Sequence, residues 1–386
     1  MSRFLDFSAD CGQSHRPSND WFLPVILTAL LTCFPARAVV AQLAPSKVFP
    51  GREWARKTPA EVGLDEARLK QFQEFVGGRG CIVRYGYLVY SWGDIGRRAD
   101  IASAAKPFYT HFLFKALEDG RITSLDEPVV RWEPRLGQLS PQLGFKDARI
   151  TWRHLATQTS CYQLAEAPGT AFAYNDWQMA LFWDTLFLKV YGATYETVDE
   201  AIFHPLLTDP LGCQDNPTMM AFGARDRPGR VAVSVRDFAR FGLLYLREGN
   251  WDGRQLISRE HARRAVGDPL PNTIPRAGHR LAEVIAGQRT HGSQGKPDNQ
   301  TDHFGSYSWL WWINGVDRHG TRMFPDAPVD LFGAFGHGGP RAMWVIPSLD
   351  IVVSYNDARM NRWTSGRDNP TNTAMKLLVA AIVQKE

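Results

Sequence analysis

The sequence predicts a two-lobed α/β protein of the α+β kind, in which helices from both ends of the chain flank a mainly antiparallel sheet and a mostly helical lobe is inserted between them. Three observations carry this reading. Strand-like runs occupy residues 81–92 and return at 306–313, 342–346 and 351–355, so the sheet is split between the two ends of the chain. The intervening stretch is mainly helices and loops. The chain has 386 residues, 44% hydrophobic and 22% charged, enough for one large core or two intimate lobes.

The chain opens with its only long apolar run, residues 21–33 (WFLPVILTALLTC), followed by Pro35, Ala36-Arg37-Ala38 and Val39-Val40-Ala41. A bilayer span takes about 20 residues, so this run is short for one. Residues 1–41 read as a secretory signal cleaved after Ala38 or Ala41, although Asp6, Asp10 and Asp20 offset Arg3 and Arg16. The other readings are an uncleaved N-terminal anchor or a mis-assigned start. Bulky Leu31 and Thr32 argue against a lipid anchor on Cys33. Export to the periplasm or the medium is therefore expected, with the membrane a partner only through an uncleaved segment. Cleavage leaves Cys81, Cys161 and Cys213, an odd set with room for one internal disulfide at most.

Residues 42–60 are Pro-rich and aperiodic, a lead-in to the body of the protein at 61–386. Leu69, Phe72 and Phe75 recur at helical spacing up to Gly77-Gly78, which predicts a helix. Residues 81–92 form two β-rich runs hinged at Gly86, a hairpin. Helices follow at 104–118, 151–157 and 176–190, and a polar, Gly-rich stretch at 286–303 reads as a mobile surface loop near the cleft. After the late strands the chain closes with a helix at 373–383. The α/β lobe thus comprises residues 61–110 and 305–386 and the helical lobe 111–304, which sets any site at their junction.

Composition removes several functions. The net charge is +4, but 44 Lys and Arg are scattered among 40 Asp and Glu, which is a solvated surface and no nucleic-acid footprint. The ten His show no paired ligand spacing, and neither a metal nor another cofactor is expected. His111 and His154 fall in predicted helices as packing or surface residues. Trp309, Trp311 and Trp312 belong to a strand and are mostly core, with room for one of them on the cleft. Asn299-Gln300-Thr301 is a chance glycosylation acceptor pattern.

Chemistry enters at Ser103-Ala104-Ala105-Lys106, at the opening of a predicted helix. Helical i,i+3 spacing sets the hydroxyl and the amine on one face, and the helix N-terminus favours negative charge developing there. Alone the pattern is weak, since Ser103 can be an ordinary N-cap. It gains weight from Tyr174-Asn175-Asp176 after the turn at Pro168-Gly169, and from Phe335-Gly336-His337-Gly338-Gly339-Pro340 before the late strands.

Those three elements in that order resemble the serine β-lactamase-like superfamily, which includes penicillin-binding proteins, and especially its class C and carboxylesterase branch. Residues 150–160, 233–249 and 342–354 agree, and the resemblance spans roughly residues 55–385. Arg153 and Asp237 lie in these stretches as structural ion-pair or capping residues. The resemblance implies a serine β-lactamase-like fold and a covalent acyl-enzyme. Ser103 would attack an ester or amide carbonyl, Lys106 and Tyr174 would move its proton, and backbone N–H groups would hold the oxyanion. His337 would occupy the strand flanking the cleft, where Gly338 and Gly339 let a small-molecule substrate lie close.

Three departures shape the expectation. Asp176 stands where the family mostly has Asn, so beside Lys106 it would hold the amine as ammonium and leave Tyr174 as the proton acceptor. His337 replaces a Lys, and a mostly neutral imidazole attracts a carboxylate less than an ammonium does. Together these predict neutral carboxylic esters as substrates. Pro340 has no N–H where the family commonly supplies the second oxyanion donor, so either Gly339 substitutes through a shifted register or the enzyme is slow or inactive. The expected function is an exported serine hydrolase of the carboxylesterase type. The alternatives are a β-lactamase or D-Ala-D-Ala peptidase, and a catalytically weak binding protein.

Overall fold

The computed structural model describes residues 46–220, 229–360 and 368–383. The signal-like segment 1–41 and the first residues of the lead-in lie outside them. Seven strands form one antiparallel sheet. Strand β1 (Arg79–Arg84) pairs with β2 (Tyr87–Trp92) on one side, and on the other with the last strand of the chain. The turn between β1 and β2 has Tyr85 and Gly86 at φ 56° and 87°, the positive values that a two-residue hairpin requires.

Short pairs decorate this frame: β3 (Ala99–Asp100) joins β4 (Ala232–Val233), and β5 (Asn250–Trp251) joins β6 (Arg254–Gln255). The stretch expected as one strand at 306–313 is instead a tight hairpin. Strands β7 (Tyr307–Ser308) and β8 (Trp311–Ile313) flank Trp309 and Leu310, both at positive φ. The sheet is completed by β9 (Phe332–Gly336), β10 (Arg341–Ile346) and β11 (Ile351–Asn356), giving the order β2-β1-β11-β10-β9-β8-β7. Apolar residues fill every position of β11 from Ile351 to Val353 and most of β10, because both faces of these central strands are buried.

Helix α1 (Glu66–Val76), capped by the Asp65 carboxylate on Arg68 N–H, buries Leu69, Phe72 and Val76. Phe75 falls off that face and is exposed. Helix α2 (Lys106–Glu118) carries Pro107 in its first turn and is apolar nearly all round, as a helix enclosed by two layers must be. On it, Phe108 stacks on Phe241 at 4.0 Å, and His111 is fully buried against Tyr245, so burial holds its pKa down to about 3. His111 is thus a packing residue.

Helices α3 (Trp152–Ala156) and α4 (Asp176–Trp183) come from the middle of the chain, α5 (Val235–Leu246) packs on β1, β10 and β11, α6 (Arg259–Gly267) packs on β7 and β8, and α7 (Pro370–Ala380) closes the chain. His154 accepts from Thr151 N–H in a capping box at the start of α3. The helix predicted at 176–190 ends at Trp183 and continues as a wider turn over Asp184–Val190. Arg153 forms a bidentate pair with Asp126, and Asp237 accepts the N–H groups of Gln214 and Asp215, so both are structural. Cys81, Cys161 and Cys213 are free thiols.

Candidate active site

The nucleophile candidate sits on a bend between β3 and α2. Ala102 is forced to φ 52°, a left-handed conformation unusual for a residue with a side chain, and its N–H is tied to Asp100 Oδ1 at 2.8 Å. One 3₁₀ turn, Ala102–Ala105, then leads into α2. This turn brings Lys106 Nζ to 2.9 Å from Ser103 Oγ, donating to it. The bend also rests on the end of β9. A Cβ on Gly336 would lie 2.2 Å from the Ile101 carbonyl oxygen and 3.3 Å from Ala102 Cβ, an approach that only glycine permits.

Tyr174 and Asp176 arrive from the helical part. Asn175 between them is the N-cap of α4, its side chain accepting from Trp177 and Gln178 N–H, so the residue before the cap and the first helical residue both face Lys106. Asp176 Oδ1 is 3.4 Å from Lys106 Nζ, and that nitrogen is 4.4 Å from the centroid of the Tyr174 ring. All three side chains are buried. Burial works against the Lys106 ammonium, yet Tyr174 and Asp176 outweigh it and hold its pKa above the ordinary lysine value. Burial likewise opposes the Asp176 carboxylate, but Lys106 and the Ser293 N–H bring its pKa below the ordinary value. At neutral pH the pair is ionised.

Residues 286–303 form an irregular segment, partly exposed, that lines the cleft as expected. Their backbone is pinned to the site: His291 N–H donates to the Asp176 carbonyl, Ser293 N–H to Asp176 Oδ2, and Gln300 N–H to the Tyr174 carbonyl. Asp298, almost fully buried, accepts from Asp176 N–H at 2.7 Å and from Gln300 Nε2 at 3.0 Å. Burial and the nearby Asp176 charge push its carboxyl up to about 6. Asn299 is also buried and gives its amide to the Ala277 carbonyl, which leaves it no role as a glycosylation acceptor. Polar composition suggested solvent, but these polar groups face Asp176 and Tyr174.

Together these elements enclose a cleft of about 390 Å³ lined by Ser103, Lys106, Tyr174, Asp176, Trp312 and His337, among others. A model of the family described as Beta-lactamase matches residues 69–380. The chain belongs to the Beta-lactamase family. The structure of a putative β-lactamase from Bacteroides dorei is similar at TM-score 0.56 and 16% identity, covering 83% of this chain and all of that one. A putative 6-aminohexanoate-dimer hydrolase from Bacillus anthracis gives 0.54 and 16%, over 86% of this chain and 87% of the other. EstCE1, a hydrolase with promiscuous acyltransferase activity, gives 0.54 and 15%, over 81% and 99%. No curated protein matches the sequence. At these identities the likeness is one of fold.

The Beta-lactamase family chain departs from its sequence reading at the Gly-rich hairpin. His337 is not on the strand. It follows β9 in a four-residue turn, at φ 53°, and is exposed at the rim of the cleft. Gly339 cannot replace the N–H that Pro340 lacks, because Gly339 N–H is already given to the Gly336 carbonyl at 3.2 Å. Gly338 lines the cleft, and its N–H makes no hydrogen bond to another described residue.

Sequence reasoning missed one wall of the cleft. Arg230 lines it, beside His291 and Ser293, yet the residue stands in no motif, and only the β3–β4 pairing carries it to Asp100. The charge reckoning that favoured neutral substrates counted Asp176 and His337, and did not include this guanidinium.

Proposed function

We propose that this chain is an exported serine hydrolase that cleaves carboxylic esters through an acyl-enzyme on Ser103. The observation that carries the reading is the buried array of Ser103, Lys106, Tyr174 and Asp176, with Lys106 donating to Ser103 Oγ at 2.9 Å. An ammonium held by Asp176 is no base. Lys106 therefore orients the hydroxyl and stabilises negative charge beside it, and Tyr174 takes the proton.

In the first step Ser103 Oγ bonds to the ester carbonyl carbon while its proton passes to Tyr174. Collapse of the tetrahedral intermediate breaks the bond to the alcohol oxygen, which leaves with that proton. Water then attacks the acyl-enzyme, yields its proton to Tyr174, and the acid departs as Ser103 is re-protonated. The developing oxyanion is assigned to the N–H groups of Ser103 and Gly338, neither of which donates to another described residue.

The test is steady-state turnover of short-chain p-nitrophenyl esters by the purified protein beside Ser103→Ala. Sustained turnover lost in the variant is expected. A stoichiometric burst without turnover favours the binding-protein alternative, and equal rates in the two proteins contradict the assignment. Export rests on residues 1–41, and N-terminal sequencing of protein recovered outside the cytoplasm should begin at Val39 or Gln42. Recovery of an intact N-terminus in the cytoplasm contradicts it.

A further inference from the structure

We infer that Arg230 is the substrate-recognition residue of this cleft and that it selects esters bearing a carboxylate. The inference rests on the hydrolase reading for the ester, but its own basis is a cluster that the catalytic steps do not use. Arg230 grips Asp100 in a two-pronged pair, Nε to Oδ1 at 3.1 Å and Nη2 to Oδ2. Arg341 Nη1 reaches the same Oδ2 at 3.1 Å, and Ala102 N–H donates to Oδ1 at 2.8 Å.

An ionised carboxylate offers about four acceptor positions, and all of those on Asp100 are taken. Arg230 is not so engaged. A guanidinium has five N–H donors, of which Asp100 occupies two, and the Nη1 edge meets no acceptor among the described residues. Two guanidiniums thus share one carboxylate at the wall of the cleft, leaving an uncompensated positive charge there. The side chain is largely buried, at 14% exposed, so solvent weakens that charge little.

Rigidity adds to the case. Asp100 fixes the plane of the Arg230 guanidinium, so a carboxylate can meet it without ordering a free side chain. Lys106 cannot serve this role, because Asp176 neutralises it. The anchor is also close to the reacting centre, since Asp100 holds Ala102, the residue before Ser103.

Binding to Ser103→Ala tests this without requiring turnover. The two probes are mono-p-nitrophenyl glutarate and its methyl ester, which differ by one negative charge. Calorimetry is expected to give at least about tenfold tighter binding of the acid, since a carboxylate and a guanidinium form a charge-assisted pair. Adding Arg230→Gln should bring the ratio near one, whereas Arg230→Lys should retain part of it, and raising the salt should reduce it. Equal binding of the two probes to Ser103→Ala overturns the inference, as does a preference that survives Arg230→Gln. A wild-type protein that binds the acid tightly yet releases no nitrophenolate overturns the hydrolase reading and supports this one.

Discussion

At the residue scale the decisive feature is the substitution of a carboxylate for an amide at Asp176. A neutral Asn there would remove one of the two groups that hold the Lys106 proton against burial. With Asp176 at 3.4 Å the amine stays charged, and the mechanism proposed above gives proton transfer to Tyr174. Tyr174→Phe is therefore expected to slow acylation at least about 10²-fold while preserving the fold, measured by the pre-steady-state burst. An unchanged burst rate contradicts the role. Asp298 gives a second expectation at this scale. Its carboxyl titrates near 6 in the folded protein and near the ordinary carboxylate value when unfolded. The folded state binds the extra proton, so this group's contribution is lost as pH rises from about 4 to 6, by about 3 kcal/mol in all. Asp298→Asn should remove that slope, and urea denaturation at pH 4 to 7 checks it. An identical pH dependence in both proteins contradicts the assignment.

At the element scale the site depends on how the β9–β10 hairpin meets the bend before α2. Gly336 touches the Ile101 carbonyl so closely that Gly336→Ala must push the strand from the bend that carries Ser103. A loss of about 1–3 kcal/mol of stability is expected, with a fall in kcat/KM beyond what the lost stability explains. Unchanged denaturation and turnover contradict that contact. The same hairpin tests the oxyanion assignment. If Gly338 supplies the second donor, Pro340→Ala restores an N–H that the reaction does not need, and kcat/KM should stay within about twofold. A rise approaching the 10²-fold or more typical of one donor shows that position 340 was the missing partner. The hairpin also marks a limit of sequence reading. Gly338 and Gly339 read as room for substrate beside a strand, whereas the tight contact of the structure is at Gly336, and His337 falls in the turn with a left-handed backbone that its residue type does not announce.

At the scale of the whole molecule, local patterns were legible and distant pairings were not. The Ser103–Lys106 spacing, the β1–β2 hairpin and the terminal helices follow from periodicity and turn residues within a few positions of one another. The split sheet followed too, because its central strands are continuous apolar runs. Arg230 was invisible for the opposite reason. It reaches the cleft only because Ala99 and Asp100 pair with Ala232 and Val233 across more than a hundred residues of chain. Residues 286–303 were legible as a segment near the cleft, but not in their contacts. Their polar side chains and glycines resemble a solvated loop, yet Asp298 and the Ser293 N–H are polar because Asp176 is their partner.

The central claim is that chemistry passes through a covalent bond to Ser103. It is tested most directly by acid-quenching the reaction with a p-nitrophenyl ester within milliseconds of mixing, then locating the acyl group by peptide mass spectrometry. The account predicts one acyl group on the peptide containing Ser103, decaying at the rate of turnover and undetectable in Ser103→Ala. Turnover with no such adduct, or with the acyl group on another residue, contradicts it.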